Sequence, residues 1–360
     1  MPTDRPNSTL PLKGRGTPAN PPNRFQRVYY DAVAEEDEVP EEERTAPVTQ
    51  FFRDDTKTIL AHNDSPDVGF DTSINAYRGC EHGCIYCYAR PTHEYLGFSS
   101  GLDFETKIMV KEDAPELLRR ELMAKKWEPR VISMSGVTDC YQPIERKLKL
   151  TRRCLEVMAE FRNPVAIVTK NHLVTRDIDL LGELASHGSA AVFVSVTSLD
   201  SEVARLMEPR ASIPARRLKA IEMLATAGIP TGVLVCPVVP GLTDHELPAI
   251  LQAAADAGAR FAGYNMLRLP YALKELFETW LETNFPEKQN KVLNKVREVR
   301  GGLLYNAEFG SRMSGEGVFA EQVKALFDLS RKKAGITERG PRLSAAAFRR
   351  PSNGQFALFD

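Results

Sequence analysis

Arg78-Gly-Cys-Glu-His-Gly-Cys-Ile-Tyr-Cys-Tyr-Ala-Arg90 sets Cys80, Cys84 and Cys87 in a C-x3-C-x2-C run directly behind a strand-like stretch, Ser73–Arg78. Thiolates this close on one loop converge on one centre, and soft sulfur selects iron–sulfur clusters or zinc. Three cysteines are one short of the four that close a [4Fe–4S] cluster, so one iron would stay open to the amine and carboxylate of an outside ligand. The alternative is a zinc knuckle with His82 or His93 as fourth ligand. His-Gly-Cys spacing at His82 suits tetrahedral closure poorly, which leaves His93 as the better candidate. The spacing favours the cluster.

Working outward from the loop, β-type runs alternate with amphipathic ones. The strand candidates are Ser73–Arg78, Arg130–Ser135, Val165–Thr169, Ala190–Val196, Pro230–Pro237 and Phe261–Leu267. Between them lie the helical stretches Ala114–Lys126, Lys147–Phe161, Thr175–His187, Ala215–Ala227 and Asp244–Ala257. The last two end at Gly228 and Gly258, where a helix C-terminal glycine belongs. Each spacing accommodates a crossover helix, so the sheet is expected to be parallel and helix-covered. Six such units in about 200 residues predict an α/β fold, a partial (β/α)6 barrel of TIM type. Chemistry is then expected at the C-terminal ends of the strands.

The chain has 360 residues with 47 basic and 48 acidic side chains, so no global basic field marks it as a nucleic-acid binder. The longest uncharged apolar run, Ile229–Thr243, is interrupted by Pro230, Pro237 and Pro240 and is too short to span a bilayer. With no signal-type apolar stretch near the start, the expectation is a cytoplasmic protein without membrane contact. Residues 1–45, rich in proline and then acidic, are expected to form a disordered arm. Phe25, Tyr29 and Tyr30 are apolar anchors there that a pure linker would not need, and the alternative is a segment that folds onto a partner or onto the barrel. Residues 46–336 should hold the barrel, its motifs within 70–330, with C-terminal helices. Residues 337–360 should form a disordered basic tail.

The Arg78–Arg90 text resembles the radical S-adenosylmethionine superfamily, and within it the spore photoproduct lyase and "DNA repair photolyase"-like branch. The likeness continues through Thr138-Asp-Cys-Tyr-Gln-Pro-Ile-Glu145, Val168-Thr-Lys-Asn171, Val194-Ser-Val-Thr-Ser-Leu-Asp200, Glu208-Pro-Arg-Ala211 and Pro237–Glu246. It implies a [4Fe–4S] cluster on Cys80, Cys84 and Cys87, with S-adenosylmethionine on the open iron. One electron then splits that molecule to a 5′-deoxyadenosyl radical, which abstracts hydrogen from a substrate. Tyr86 falls where an aromatic packs near the adenine. Thr138, Lys170 and Ser195 fall where polar groups meet the S-adenosylmethionine amine, carboxylate or ribose, and Arg210 could pair with the same carboxylate or with Glu208. Asp139 and Glu145 are expected to orient their loop by hydrogen bonds.

The branch's hydrogen-atom donor cysteine aligns nearer Gly136 than Cys140, so that role does not carry over. Cys140 and Tyr141 are nonetheless the candidate catalytic residues for relaying a hydrogen atom, because both lie by the expected mouth. Cys154 and Cys236 read as core residues.

The resemblance also implies an external one-electron donor such as flavodoxin or ferredoxin, and damaged DNA as one candidate substrate beside RNA, protein or small molecules. A non-catalytic metal-binding scaffold is the reading from another class. Gln355-Phe-Ala-Leu-Phe359 resembles the Q-x-x-L-F pentapeptide by which bacterial repair proteins dock on the sliding clamp.

Overall fold

Hydrophobic β-branched runs with parallel register build the central sheet. In the computed structural model, which describes residues 12–25, 47–338 and 340–351, ten strands form two sheets. They are β1 (Gln50–Arg53), β2 (Leu60–His62), β3 (Thr72–Ile74), β4 (Tyr77–Arg78), β5 (Lys107–Val110), β6 (Ile132–Met134), β7 (Val165–Thr169), β8 (Ala190–Ser195), β9 (Thr231–Val238) and β10 (Phe261–Met266). The larger sheet runs β10-β9-β8-β7-β6-β3-β2, every pair parallel except the antiparallel edge strand β2. Six parallel strands in sequential order, wrapped by helices such as Leu150–Phe161, Pro214–Thr226 and Leu247–Asp256, make the expected partial barrel. Gly228 and Gly258 take φ values of +75° and +96°, the left-handed geometry that ends the two helices before them.

The expected first strand, Ser73–Arg78, is two strands. β3 pairs with β6 in the barrel, whereas β4 leaves it to pair antiparallel with β5, which runs parallel to β1. The break falls at Asn75, whose side chain accepts from the Val137 N–H at 3.0 Å instead of continuing the ladder. That turn lifts the residues after β4 onto the rim above the C-terminal strand ends. The Lys147–Phe161 stretch also divides, at Lys149 with φ +53°, into Glu145–Leu148 and Leu150–Phe161.

Two segments expected to be disordered are packed instead. Residues 12–25 cross the mouth as a strap, with Thr17 and Asn23 buried. Asn23 Nδ2 donates to the carbonyls of Glu94 (2.8 Å) and Phe98 (2.9 Å). Arg24 pairs with Glu94 at 2.8 Å and stacks 3.8 Å from the ring centroid of Tyr271, just beyond β10. The strap therefore joins the loops that follow the first and last barrel strands. At the other end, Ser344 N–H donates to Gly188 O and Phe348 lies against Phe161, closing the bottom of the barrel. Proline disfavours helix interiors but not extended backbone anchored by side chains. Tyr29, Tyr30 and the Gln355–Phe359 pentapeptide lie outside the described residues.

A second apolar cluster supports the rim. Ile85 and Tyr86 pack with Met207 and with Leu276, Phe277, Trp280 and Leu281 of the helix Leu273–Asn284, so the cysteine loop has its own core beneath it. No helix among the described residues is long and apolar enough to cross a membrane.

Candidate active site: a clamped cysteine loop at the barrel mouth

Two glycines give the loop its shape. Gly79 and Gly83 sit at φ +79° and +68°, and a Cβ at either would come within 2.9 Å of Phe104 O or 2.6 Å of Glu105 Oε2. The backbone closes on itself through Cys80 N–H to Phe104 O (2.9 Å) and Cys87 N–H to Cys84 O (3.2 Å). Cys80 and Cys84 are buried, Cys87 is half-buried, and all three are free thiols. Burial pushes each thiol up, and Cys80 also feels Cys84 and Cys87. Buried thiolates therefore need a cationic partner, which iron supplies. Lys170 acts in that direction, its ammonium favouring the Cys84 and Cys87 thiolates.

The donor set fits an iron–sulfur cluster. Among the described residues no three His, Cys, Asp or Glu side chains gather around a single ion's position. His82 has both ring nitrogens engaged, and His93 is turned between the rings of Phe98 and Phe104. A four-iron cluster takes its thiolates at separate corners and spaces them wider than one tetrahedral ion does.

Nearly every turn of the loop is held from outside. Thr138 Oγ1 donates to Gly79 O at 2.6 Å, and the Gln142 amide accepts from Glu81 N–H at 2.9 Å. Glu81 accepts from Ile144 N–H (2.7 Å) and pairs with Arg210 at 3.1 Å, while the Arg210 N–H donates to His82 O. Tyr86 OH donates to Glu208, which also accepts from Thr197 Oγ1 (2.8 Å) and pairs with the fully buried Arg217. Tyr88 OH donates to Gly136 O at 2.7 Å. The Thr138–Glu145 and Glu208–Ala211 stretches thus act as clamps on the cysteine loop.

Two of the expected cofactor contacts, Thr138 and Arg210, have protein partners. Thr138 Oγ1 donates to Gly79 O and accepts from Gln142 Nε2 at 3.1 Å, which ties it to the cysteine loop. Arg210 pairs with Glu81, because Glu208 is already taken by Arg217. Lys170 and Tyr86 do meet: the ammonium lies 5.8 Å from the ring centroid and 3.3 Å from Cys236 O. Ser195 ends β8, buried, with its carbonyl accepting from Arg217 at 3.1 Å.

Asp139 has the most constrained carboxylate. It accepts from Thr169 Oγ1 (2.7 Å) and from the N–H groups of Lys170 (2.8 Å) and Tyr141 (2.9 Å), and faces His82 Nδ1 at 3.3 Å. Asn171 Oδ1 accepts from Leu173 N–H, which fixes the amide orientation and turns Nδ2 to donate to His82 Nε2 at 3.1 Å. His82 therefore carries its proton on Nδ1 and donates it to Asp139. Burial alone would raise the Asp139 carboxyl; His82 and the backbone donors outweigh it and hold the group at about 2, below its ordinary 3.8. A depressed folded value stabilises the protein above pH 4, and the contribution is lost as pH falls from about 4 through 2. Asp139→Asn should cost about 2 kcal/mol at neutral pH and flatten the acid-unfolding curve of the apoprotein in that window. An unaltered acid-unfolding curve would show that this carboxylate stabilises nothing.

Cys140 and Tyr141, the expected relay residues, lie inside the barrel rather than on the rim. Both are buried; Tyr141 OH donates to Asp177 at 3.1 Å and Cys140 lies in the barrel core. A phenol committed to a buried carboxylate, with burial and Asp177 pushing its pKa up, is not presented to a substrate at the mouth. The sequence reading missed Arg90, Glu105 and Gly16, which brace the loop from behind, and Arg217. Arg217 carried a signal: with Ala220, Ile221 and Leu224 it falls on the buried face of its helix.

The family profile described as "Radical SAM superfamily" matches residues 74–254, half of the chain. An uncharacterized protein of Mycobacterium tuberculosis is 37% identical over 239 residues, covering 65% of this chain and 69% of the relative. An uncharacterized protein of Methanocaldococcus jannaschii is 31% identical over 223 residues, covering 62% and 80%. Among solved structures, one spore photoproduct lyase superposes with a TM-score of 0.57 at 17% identity, covering 82% of each chain. Another, complexed with dinucleoside spore photoproduct, gives 0.55 at 17%, covering 79% of this chain and 78% of that one. At such identities the structural likeness speaks for the fold. The chain belongs to the radical SAM superfamily and is an enzyme of that kind, whose chemistry needs a [4Fe–4S] cluster and S-adenosylmethionine.

Proposed function

We propose that Cys80, Cys84 and Cys87 carry the cluster and that the enzyme abstracts hydrogen from a nucleic-acid substrate, with photoproduct-type damage in DNA the first to test. The observation that carries the reading is the loop itself: three free thiols at a barrel mouth, two buried and one half-buried, tied down by partners from several strand ends. When bound, the cluster supplies one electron to S-adenosylmethionine and so generates the 5′-deoxyadenosyl radical that takes the hydrogen. The chain's own part is placement. Lys170 offers its ammonium to the carboxylate of S-adenosylmethionine, the Tyr86 ring offers a face to the adenine, and Ser195 a hydroxyl at the end of β8.

Nucleic acid is favoured by the rim. Phe25, Tyr95 and Tyr271 are exposed around the Arg24 guanidinium, at 4.6, 5.5 and 3.8 Å from the ring centroids, and Tyr88 is exposed beside Cys87. Aromatic faces interleaved with arginine suit stacked, unpaired bases. A flavodoxin- or ferredoxin-type donor would deliver the electron, and Gln355–Phe359 would dock on a sliding clamp. A fluorescent peptide of residues 346–360 should bind the cognate clamp at micromolar concentration; no binding there ends the clamp assignment.

The test is anaerobic. The full chain is reconstituted with iron and sulfide, reduced and given S-adenosylmethionine with and without ultraviolet-damaged oligonucleotide. 5′-Deoxyadenosine should form, rise with the damaged strand and vanish in Cys84→Ala. Stoichiometric zinc without iron would overturn the cluster assignment. Product that ignores every oligonucleotide would move the substrate to another class.

A further inference from the structure

Among the described residues three arginines are fully buried: Arg90, Arg217 and Arg300. The first two have buried carboxylates, Glu105 and Glu208. Arg300 has none. Its Nη1 donates to Ser311 O (3.1 Å) and its Nη2 to Leu267 O (2.7 Å) and Met266 O (3.4 Å), all neutral carbonyls. A second arginine, Arg268, lies close enough to act on its charge and donates only to Met313 Sδ at 3.4 Å. Among the described residues neither has a carboxylate oxygen within 4.0 Å. The acids nearby are otherwise turned. Asp67 is taken by Arg312 and the Gly310 N–H, and Glu316 lies toward Gly301. Burial and then Arg268 push the Arg300 guanidinium down to about 10, against weaker support from Glu316 and Tyr305.

Two like charges sharing a partly buried corner, with no acid paired to either, are costly unless an anion completes them. The corner also holds three buried polar atoms with no partner: Arg268 Nε, Arg300 Nε and Ser311 Oγ. Its position is at the mouth. Met266 ends β10, and the Arg268 guanidinium is 5.7 Å from the ring centroid of Tyr88, the exposed residue that follows Cys87.

We propose that Arg268, Arg300 and Ser311 form an oxyanion site that receives a phosphate of the substrate, with the Tyr88 ring as the adjoining stacking face. The proposal rests on the nucleic-acid reading above and names the substrate group that this corner recognises. Two guanidinium groups and a hydroxyl approaching from different elements suit a tetrahedral phosphate. The aromatic face beside them suits the attached base.

The test uses the anaerobically reconstituted full chain, and its readouts are independent of turnover. Millimolar inorganic phosphate should raise the thermal midpoint of the wild type and leave that of Arg268→Gln unmoved. Without phosphate, Arg268→Gln should melt at or above the wild type, because it relieves like-charge repulsion; a merely structural arginine would give a loss. A fluorescein-labelled thymidine dodecamer should bind Arg268→Gln about tenfold more weakly. A methylphosphonate-linked dodecamer, which lacks the charge, should bind both proteins alike. S-Adenosylmethionine affinity should be the same in both. Four results would each overturn the proposal: no phosphate shift in the wild type, a destabilised Arg268→Gln, unchanged binding of the charged dodecamer, or a loss confined to S-adenosylmethionine. Failure of the radical chemistry would show instead as missing 5′-deoxyadenosine with phosphate binding intact.

Discussion

Glu105→Ala is expected to destabilise the protein by about 3–5 kcal/mol, because it leaves a buried guanidinium without its counter-charge. Arg90 and Glu105 are both wholly inside and pair at 2.5 Å. The pair sits directly behind the cysteine loop. Arg90 Nε donates to Cys84 O at 2.9 Å, Nη2 to Gly83 O at 3.2 Å and Nη1 to Gly101 O at 2.8 Å. Glu105 in turn accepts the Gly16 N–H at 2.9 Å. An unpaired Arg90 would draw in water or swing away, and the carbonyls of Gly83 and Cys84 would go with it. Denaturant midpoints of the apoprotein and iron per chain after reconstitution should therefore both fall. A double variant, Arg90→Met with Glu105→Leu, separates the two effects. Removing both charges should restore most of the stability, since buried pairs often replace well by apolar volume. It restores no donor to Gly83 O and Cys84 O, so iron content should stay low. If Glu105→Ala kept its midpoint and its iron, the brace would be incidental.

The sequence shows the cysteine loop because its chemistry is local: three thiols in eight positions have few uses, and a strand before them fixes where they stand. The six parallel strands are legible for a similar reason, each a short apolar run bounded by its own amphipathic helix. What the sequence does not show is which acceptor a polar group chooses. A threonine hydroxyl at a strand end can serve a cofactor or a carbonyl, and Thr138 serves Gly79 O. Arg210 and Arg217 offer the same guanidinium, yet helix register turns Arg217 inward to Glu208 and leaves Arg210 for Glu81. Asn75 ends β3 because Val137 reaches its side chain across 62 positions, beyond any local window. Residues 12–25 read as disorder from their prolines. Their order comes from partners far along the chain, among them Glu94, Phe98 and Glu105.

That strap gives the second large effect: Gly16→Ala should lift it from the loop. Gly16 has an ordinary backbone conformation, so the requirement is for space. A Cβ there would stand 1.8 Å from Gly83 O and 3.1 Å from Arg90 Nη2. The obstacle is backbone of the cysteine loop, held in place by Arg90, and cannot move aside as a side-chain tip could. Strap or loop must shift, at about 1–3 kcal/mol for an overpacked contact. The strap is held by separate surface contacts such as Leu102 N–H to Ala19 O at 2.9 Å, whereas Arg90 holds the loop from inside, so the strap is the part expected to give. Trypsin should then cut after Arg24 at least tenfold faster than in the wild type, since cleavage follows the population of the opened segment. Gly14→Ala is the control. It has φ +75° but open space around its Cβ, so it adds backbone strain without a clash and should speed cleavage much less. Because Gly16 is the strap's contact with the residue preceding Cys84, the same opening should hasten loss of the cluster's absorbance in air. Equal cleavage after Arg24 in Gly16→Ala and wild type, with equal survival of the chromophore, would mean that the strap rests on the loop without holding it.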